Sequence, residues 1–319
     1  MRSAKMLCRA LMWAIAITPF RAAGSVIYNN ADGVTSQPTG DQGWSVTGEF
    51  NTAGGVAIAP NYFLTAQHVG ITVGQDQIFL NGVAYTSSGF TDIAGTDLRV
   101  VQISGTFPSY AQLYSGAAGT EMGKTVSIVG FGHYQLGAAL TTNSVQNGWY
   151  WGSPVGMNYA TNTVAAVGAF GSASYFLDIK FNAFANSGIY TFGDSGGDNF
   201  ILNGGVYQLA GLTYGIQDYY IKNGDGTYTD LDNPPTNSGV AVFDAAGLYE
   251  NTADSGQPPV YVPATGPEDG YATEIAPYVS QIDAITGVPE PTAALGVGAL
   301  LTMSLLARRS RRDSIHHAA

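Results

Sequence analysis

The central part of the chain alternates short apolar runs with polar turn signals. Val, Ile, Tyr, Phe and Thr dominate the runs, while Gly, Asn, Asp and Pro separate them. Runs of this length and composition are typical of β-strands, and NGG at 203–205 is typical of a hairpin turn. The clearest predicted strand regions are GGVAIAPNYFLTA, DQIFLNGVAYTS, DLRVVQIS, TVSIVGFG, YFLDIKFNAF, NFILNGGVYQLAGLTYG and GVAVFDA.

One helix is predicted near the end of this region, from about Glu274 to Ile285. Its apolar residues, at 275, 278, 279, 282 and 285, fall on one helical face. Pro277 is compatible with this helix because it lies in the first turn. About 260 residues of short strands with one terminal helix indicate an all-β fold made of barrels or a sandwich.

The two ends of the chain differ from this β-rich centre. Residues 1–24 begin with basic residues, continue through the apolar run ALMWAIAIT and end in small residues, which predicts a secretory signal peptide. We expect cleavage between Ala22 and Ser25, and export across the inner membrane. Cys8 is the only cysteine, so the exported protein would contain no disulfide.

The distribution of charged residues limits the kinds of molecule that the protein could bind. Residues 25–287 contain four basic and 21 acidic residues, although 45% of the whole chain is hydrophobic. A nucleic-acid partner is excluded because phosphate binding requires a basic surface. The composition predicts a large packed core, and the acidic surface favours solubility. No metal or other cofactor is predicted.

Residues 288–312 combine three features in a fixed order. VPEP is followed by an apolar segment, 292–307, and then by RRSRR. Read alone, these residues predict a membrane anchor with cytoplasmic arginines. Their order also resembles the PEP-CTERM sorting signal. That resemblance implies processing by an exosortase, delivery to the cell surface or the medium, and membrane contact only through this segment before processing.

Ser195 lies in the sequence TFGDSGGDN, which raises the question of a catalytic nucleophile. GDSGG matches the G-x-S-x-G pattern of an α/β-hydrolase, but that fold requires a histidine after the serine. The only later histidines, His316 and His317, follow the apolar segment, so this interpretation fails.

Two histidines remain in the folded region, His68 and His133. His68 follows a predicted strand in NYFLTAQHV and precedes the acidic residues Asp92 and Asp97. The resulting order of His, Asp and Ser is that of the chymotrypsin arrangement. Asp97 is favoured as the third member because the strand LRVVQI follows it, but Asp92 in FTDIAG stays a competitor. We interpret His133 as structural.

Together these motifs resemble those of trypsin-like (chymotrypsin-family, S1-type) serine peptidases. LTAQHV is similar to the family's L-T-A-A-H-C, with Gln67 in place of Ala. The other similar stretches are TDLRVVQI, VSIVGFG, GDSGG and GLTYG. The resemblance implies two six-stranded antiparallel β-barrels with the active site between them, the first at about 25–110 and the second at about 120–270. The helix, about 274–285, would complete a peptidase domain spanning 25–287.

The same resemblance implies roles for individual residues. Ser195 would attack the scissile carbonyl, His68 would transfer the proton and Asp97 would orient His68. The backbone N–H groups of Gly193 and Ser195 would form the oxyanion hole. Because Gly193 has no side chain, it leaves room for the approaching carbonyl.

A second set of residues would form the substrate pocket. Ile189 falls at the pocket base and Gly215 at its wall, while Thr213 falls where the family places a serine that binds the catalytic aspartate. Isoleucine offers no partner for Lys or Arg. We therefore expect a preference for apolar or aromatic residues, or for small ones if Ile189 fills the floor.

Several features depart from the family or leave alternatives open. The usual disulfides and the R-I-V-G-G activation sequence are absent, so the amine that would pair with Asp194 is not identified by the sequence. NGDGTYTDLD, 223–232, fits a turn-rich hairpin better than a Ca²⁺ loop. The leading hypothesis is an exported serine endopeptidase that acts on protein or peptide substrates. The rival is an inactive barrel serving as a surface or matrix binding module.

Overall fold

The computed structural model describes residues 25–152, 156–170, 174–232, 239–253 and 256–287. The predicted signal peptide, 1–24, and the predicted sorting signal, 288–312, lie outside the described residues. Most of the described chain consists of short strands. The first seven strands are β1 (Val26–Ile27), β2 (Thr47–Phe50), β3 (Ala53–Ala59), β4 (Tyr62–Ala66), β5 (Gln77–Leu80), β6 (Val83–Asp92) and β7 (Leu98–Ile103).

The later strands carry the second half of the fold. They are β8 (Gln112–Leu113), β9 (Thr125–Gly130), β10 (Leu136–Thr142), β11 (Val145–Trp151), β12 (Asn158–Phe170), β13 (Ser174–Lys180), β14 (Gly188–Ile189), β15 (Asp198–Asn203), β16 (Val206–Ile216), β17 (Tyr220–Lys222), β18 (Tyr228–Asp230), β19 (Val240–Val242), β20 (Tyr249–Asn251), β21 (Tyr261–Pro263) and β22 (Asp269–Glu274). The helical segments are 3-10 turns at Trp44–Val46, Gln67–Val69 and Ala276–Tyr278, and the α-helix α1 (Val279–Thr286).

Barrel one is a closed ring of six antiparallel strands in the order β2-β3-β4-β7-β6-β5. Strand β7 explains how the ring is stabilised. Val101 and Ile103 pack inside the barrel, while Leu98 and Val100 pack on its outer face against barrel two. Each fully buried side chain of this size contributes roughly 1.5–3 kcal/mol to stability.

Barrel two is a second closed ring of six antiparallel strands, in the order β15-β9-β12-β13-β22-β16, with β15 and β16 closing it. Short strand β8 adds to β16 in parallel. The NGG turn connects β15 to β16, with Asn203 opposite Val206. The two rings and the terminal helix confirm the predicted fold class.

The two barrels meet along an apolar seam. Val56, Leu64 and Val100 of barrel one pack in the same buried cluster as Phe200 and Leu212 of barrel two. Helix α1 contributes its own apolar face to this cluster, so it closes one end of the seam. No helix within the described ranges is long and apolar enough to cross a membrane.

Two boundaries differ from the sequence-based expectation. Strand β1 does not join barrel one; Val26 pairs with Ile189, and both residues lie in the core of barrel two. The helical region begins at Ala276 rather than Glu274, because Glu274 still pairs with Gly211 in the sheet.

Residues 216–270 contribute strands to two accessory sheets beside barrel two, and β10 and β11, from 136–151, complete one of them. One has the strand order β10-β11-β19 and the other β18-β17-β20-β21. NGDGTYTDLD forms the turn and the second strand of the β17–β18 hairpin, in which Tyr220 pairs with Asp230. A buried cluster that includes Leu140, Tyr219, Val242 and Leu248 connects the two accessory sheets.

Candidate active site

The seam between the barrels brings together three polar residues that are far apart in the sequence. His68 lies in the 3-10 turn directly after β4, and Asp97 lies in the loop between β6 and β7. Both belong to barrel one. Ser195 lies in the loop before β15 of barrel two, and its backbone carbonyl accepts a hydrogen bond from Gly54 N at 2.8 Å. This bond ties the serine loop to barrel one.

The three side chains form a continuous hydrogen-bonded chain. His68 Nε2 lies 2.7 Å from Ser195 Oγ, and His68 Nδ1 lies 2.6 Å from Asp97 Oδ2. The backbone N–H of His68 donates a second bond, at 3.1 Å, to Asp97 Oδ1. The His68 side chain is 42% exposed and that of Asp97 is 15% exposed, so the base faces solvent while its partner is shielded. Both ring nitrogens of the imidazole are therefore oriented.

The structure separates the two candidate aspartates. Asp92 forms a bidentate ion pair with Arg99, at 2.6 Å from Nε and 3.0 Å from Nη2. Its carboxylate is thus occupied by Arg99, and it is Asp97 that contacts His68. A bidentate Arg–carboxylate pair fixes geometry on both partners, so Asp92 is held away from the imidazole.

The backbone before Ser195 is held by the buried carboxylate of Asp194. Oδ1 accepts the N–H of Gly132 at 3.0 Å, and Oδ2 accepts the N–H groups of Thr191 at 2.7 Å and Ser25 at 3.1 Å. Burial raises the pKa of Asp194 to about 6, while these hydrogen bonds oppose the rise. Asp194 thus connects the serine loop to strand β9 and to the N-terminal segment.

Two backbone N–H groups beside the serine have no acceptor within the described residues. They belong to Gly193 and Ser195, both of which are partly exposed. Gly193 has φ of 96°, and a Cβ there would lie 2.8 Å from Phe131 O. The positive φ and the closeness of Phe131 O therefore both require glycine at 193. This requirement is separate from any need to leave room for a substrate carbonyl. The pair of free donors is suited to an oxyanion.

The three predicted pocket residues differ in their exposure and in their contacts. Ile189 is wholly buried in the core of barrel two, so it presents no surface to a substrate. Gly215 has open space where a Cβ would lie. Thr213 does not bind Asp97; its hydroxyl accepts a bond from Asn199 Nδ2 at 3.1 Å. The three residues therefore do not form one accessible pocket surface.

Sequence reasoning missed a buried tyrosine in this region. Tyr190 is 1% exposed, and its hydroxyl donates to Asn199 Oδ1 at 2.6 Å. Its ring also packs against Gly270, where a Cβ would lie 2.8 Å from the ring. The local sequence around Tyr190 carries no signal of burial. The contact with Gly270 of β22, far along the chain, shows that the ring fills this space.

The sequence assigned no role to Tyr214, whereas it indicated a structural role for His133. Tyr214 packs edge-on against His68 with ring centroids 6.0 Å apart, so it limits the positions open to the imidazole. His133 is held by Gly152 O, 2.8 Å from its Nδ1, and stacks on Trp151. These contacts hold the His133 ring, and among the described residues it is His68 that contacts Ser195.

The fold and this constellation define a two-barrel protein of serine-peptidase type. Residues 31–233 match the family described as Trypsin, and the chain belongs to that family. Similar solved structures include mouse neuropsin and Rv3671c from M. tuberculosis. Mouse neuropsin, "a serine protease expressed in the limbic system of mouse brain", shows 13% identity and a TM-score of 0.45, covering 76% of this chain and 95% of its own.

The second similar structure is the inactive form of a serine-to-alanine mutant of Rv3671c from M. tuberculosis H37Rv. It shows 12% identity and a TM-score of 0.43, and it covers 80% of this chain and 94% of its own. No curated protein matches the chain. Neither structural likeness adds to the family assignment.

The Asp97–His68 contact leads to a prediction that separates the two aspartates. We expect Asp97→Asn to lower kcat by about 10⁴-fold, because the amide cannot hold the imidazole in the required tautomer. Asp92→Asn should leave kcat within about twofold, since Asp92 binds only Arg99 in this region. Steady-state hydrolysis of a peptide substrate measures both. A greater loss with Asp92→Asn would transfer the assignment to Asp92.

Proposed function

We propose that this protein is an exported serine endopeptidase that hydrolyses peptide bonds through an acyl-enzyme. The observation that carries the proposal is the pair of contacts at His68, 2.7 Å to Ser195 Oγ and 2.6 Å to Asp97 Oδ2. A serine hydroxyl is a weak nucleophile unless an oriented base removes its proton. Membership of the Trypsin family supports the same reaction class.

In this mechanism each group has one task. Ser195 Oγ attacks the scissile carbonyl carbon while His68 Nε2 takes its proton. The carbonyl oxygen, now negatively charged, is stabilised by the free N–H groups of Gly193 and Ser195. Imidazolium then gives the proton to the leaving amine, and the acyl-enzyme is hydrolysed by water in the reverse sequence. Asp97 stabilises the imidazolium throughout.

The substrate preference proposed here follows from what fills the space behind the serine loop. Ile189 and Tyr190 are at most 1% exposed, and both contact the position of Gly270. A long side chain before the scissile bond would have to displace them, which favours small or apolar residues. The nearby carboxylate of Asp194 is already occupied by four hydrogen bonds, so it offers nothing to Lys or Arg.

A peptide library tests function and preference together. We expect wild-type protein to cut after small or apolar residues, and Ser195→Ala to reduce turnover on the order of 10⁶-fold. Mass spectrometry of the products identifies each cleavage site. Dominant cleavage after Lys or Arg would contradict the preference. Equal cleavage by wild type and Ser195→Ala would contradict the nucleophile, and absence of cleavage by both would favour the inactive binding module.

The N-terminal segment supports export as part of the same proposal. Ser25 is wholly buried, and its backbone nitrogen lies 3.1 Å from Asp194 Oδ2. Signal cleavage directly before Ser25 would turn this amide into an ammonium group. An ammonium in contact with the carboxylate lowers its pKa and keeps it ionised. The family pairs a new N-terminal amine with this aspartate, and Ser25 would supply it without a separate activation sequence.

The C-terminal residues complete the proposed route. VPEP, the apolar segment 292–307 and the RRSRR cluster would act as a sorting signal, with transient anchoring in the membrane and removal by an exosortase. The final location would be the cell surface or the medium.

One measurement checks both processed ends. We expect the intact mass of protein purified from its native host to match a chain that begins at Ser25 and ends near VPEP. A chain that retains RRSRR would instead indicate a permanent anchor, and a start elsewhere than Ser25 would remove the proposed ammonium from Asp194. Recombinant protein made without the C-terminal signal serves as the mass control.

A further inference from the structure

Gln67 replaces an apolar residue of the family motif directly before the catalytic histidine, and its side chain is half-buried rather than solvated. Its amide nitrogen Nε2 lies within hydrogen-bonding distance of three carbonyl oxygens in the loop that carries Asp97. The distances are 3.3 Å to Ile93 O, 2.9 Å to Thr96 O and 3.1 Å to Leu98 O. The amide has two hydrogens, so at least one is shared between two carbonyls.

The backbone of Gln67 contacts the same loop. Its N–H donates to Asp97 O at 2.6 Å, and its carbonyl accepts a weaker bond of 3.4 Å from Arg99 Nη1. The following residue is His68, whose N–H and Nδ1 both contact the Asp97 carboxylate. Strands β4 and β7 pair as far as Ala66 and Leu98, and Gln67 extends this connection to Asp97 and its loop.

The loop turns at Gly95, which has φ of 74°. Hydrogen bonds within the loop close this turn: Thr96 N–H and Oγ1 donate to Ile93 O, Leu98 N–H donates to Thr96 Oγ1, and Ile93 N–H donates to Leu98 O. The Gln67 amide adds donors from outside the loop, and its shortest bond is to Thr96 O at 2.9 Å. Gln67 therefore fixes the already closed turn to the end of β4.

We propose that Gln67 is a positioning residue that holds the Asp97 loop in place for the orientation of His68. This inference rests on the proposed function, since it assigns a role within that site. A residue such as Ala at 67 could make the same backbone bond to Asp97 O, but it could not reach the three carbonyls. Asp97 in this chain therefore depends on a side-chain clamp.

The test replaces the amide while keeping the length of the side chain. We expect Gln67→Met to lower kcat on the order of 10- to 100-fold, because small displacements in a catalytic constellation have effects of this size. KM should stay within about twofold, since Gln67 does not face the substrate. Gln77→Met is the matched control: Gln77 binds Thr86 in the same barrel, and kcat should change less than about twofold.

A double-mutant cycle separates positioning from a general structural effect. In the Asp97→Asn background, Gln67→Met should lower kcat by no more than about twofold further, because the contact it supports has already been lost. A loss of the same size in both backgrounds would overturn the proposal, and so would an unchanged kcat in Gln67→Met alone.

A measurement independent of activity keeps the two proposals distinct. The proton between His68 Nδ1 and Asp97 gives a low-field ¹H resonance when the bond is ordered. We expect this resonance to broaden or shift in Gln67→Met and to persist in Gln77→Met. A wild-type protein that cuts no peptide would contradict the proposed function, yet the resonance would still decide the role of Gln67. An unchanged resonance in Gln67→Met would overturn the proposed role of Gln67.

Discussion

The site depends on how closely two glycine segments approach each other across the barrel seam. Gly54 of barrel one lies against Gly196 and Gly197 of barrel two, and a Cβ on Gly54 would be 2.6 Å from Gly197 N and Cα. A Cβ on Gly196 would be 2.5 Å from Gly54 O. Because barrel one carries His68 and Asp97 while barrel two carries Ser195, the distance across the seam sets the distance from base to nucleophile. An added methyl group at Gly54 must push them apart.

Polar contacts between the two barrels also hold them together at this seam. The chain has a single cysteine, so no internal disulfide can do so. Thr47 of barrel one donates a hydrogen bond of 2.5 Å to Asp198 of barrel two, which directly follows Gly196 and Gly197 in the sequence. Asp198 is wholly buried, and burial raises its pKa well above the usual value. Asp194 is equally buried but has four donors around it. Buried carboxyl groups thus lie on both sides of Ser195 along the chain. Asp194 binds its own loop and Ser25, and Asp198 binds Thr47 of barrel one.

Residues whose chemistry is local in sequence could be predicted. GDSGG and TAQHV carry their own signal, and the alternation of short runs with turn residues was sufficient for the all-β class. The choice between Asp92 and Asp97 required the structure, because both precede apolar residues. The structure pairs Asp92 with Arg99 and places Asp97 against His68. The pairing of β1 with β14 joins residues more than 160 positions apart, so no local pattern could have assigned Val26 to barrel two. The same holds for Tyr190 and Gln67, whose partners lie on other strands.

The most direct test asks whether the contact between the barrels makes Ser195 reactive. The protein is treated with a fluorophosphonate, and its intact mass is measured over time. We predict one adduct per folded wild-type chain, located at Ser195 by peptide mapping and absent in Ser195→Ala. Gly54→Ala should react much more slowly, whereas Gly89→Ala, where the nearest atom to the new Cβ is a side-chain oxygen 3.7 Å away, should react like the wild type. Absence of an adduct on folded wild-type protein, or equal rates for Gly54→Ala and Gly89→Ala, would contradict this account.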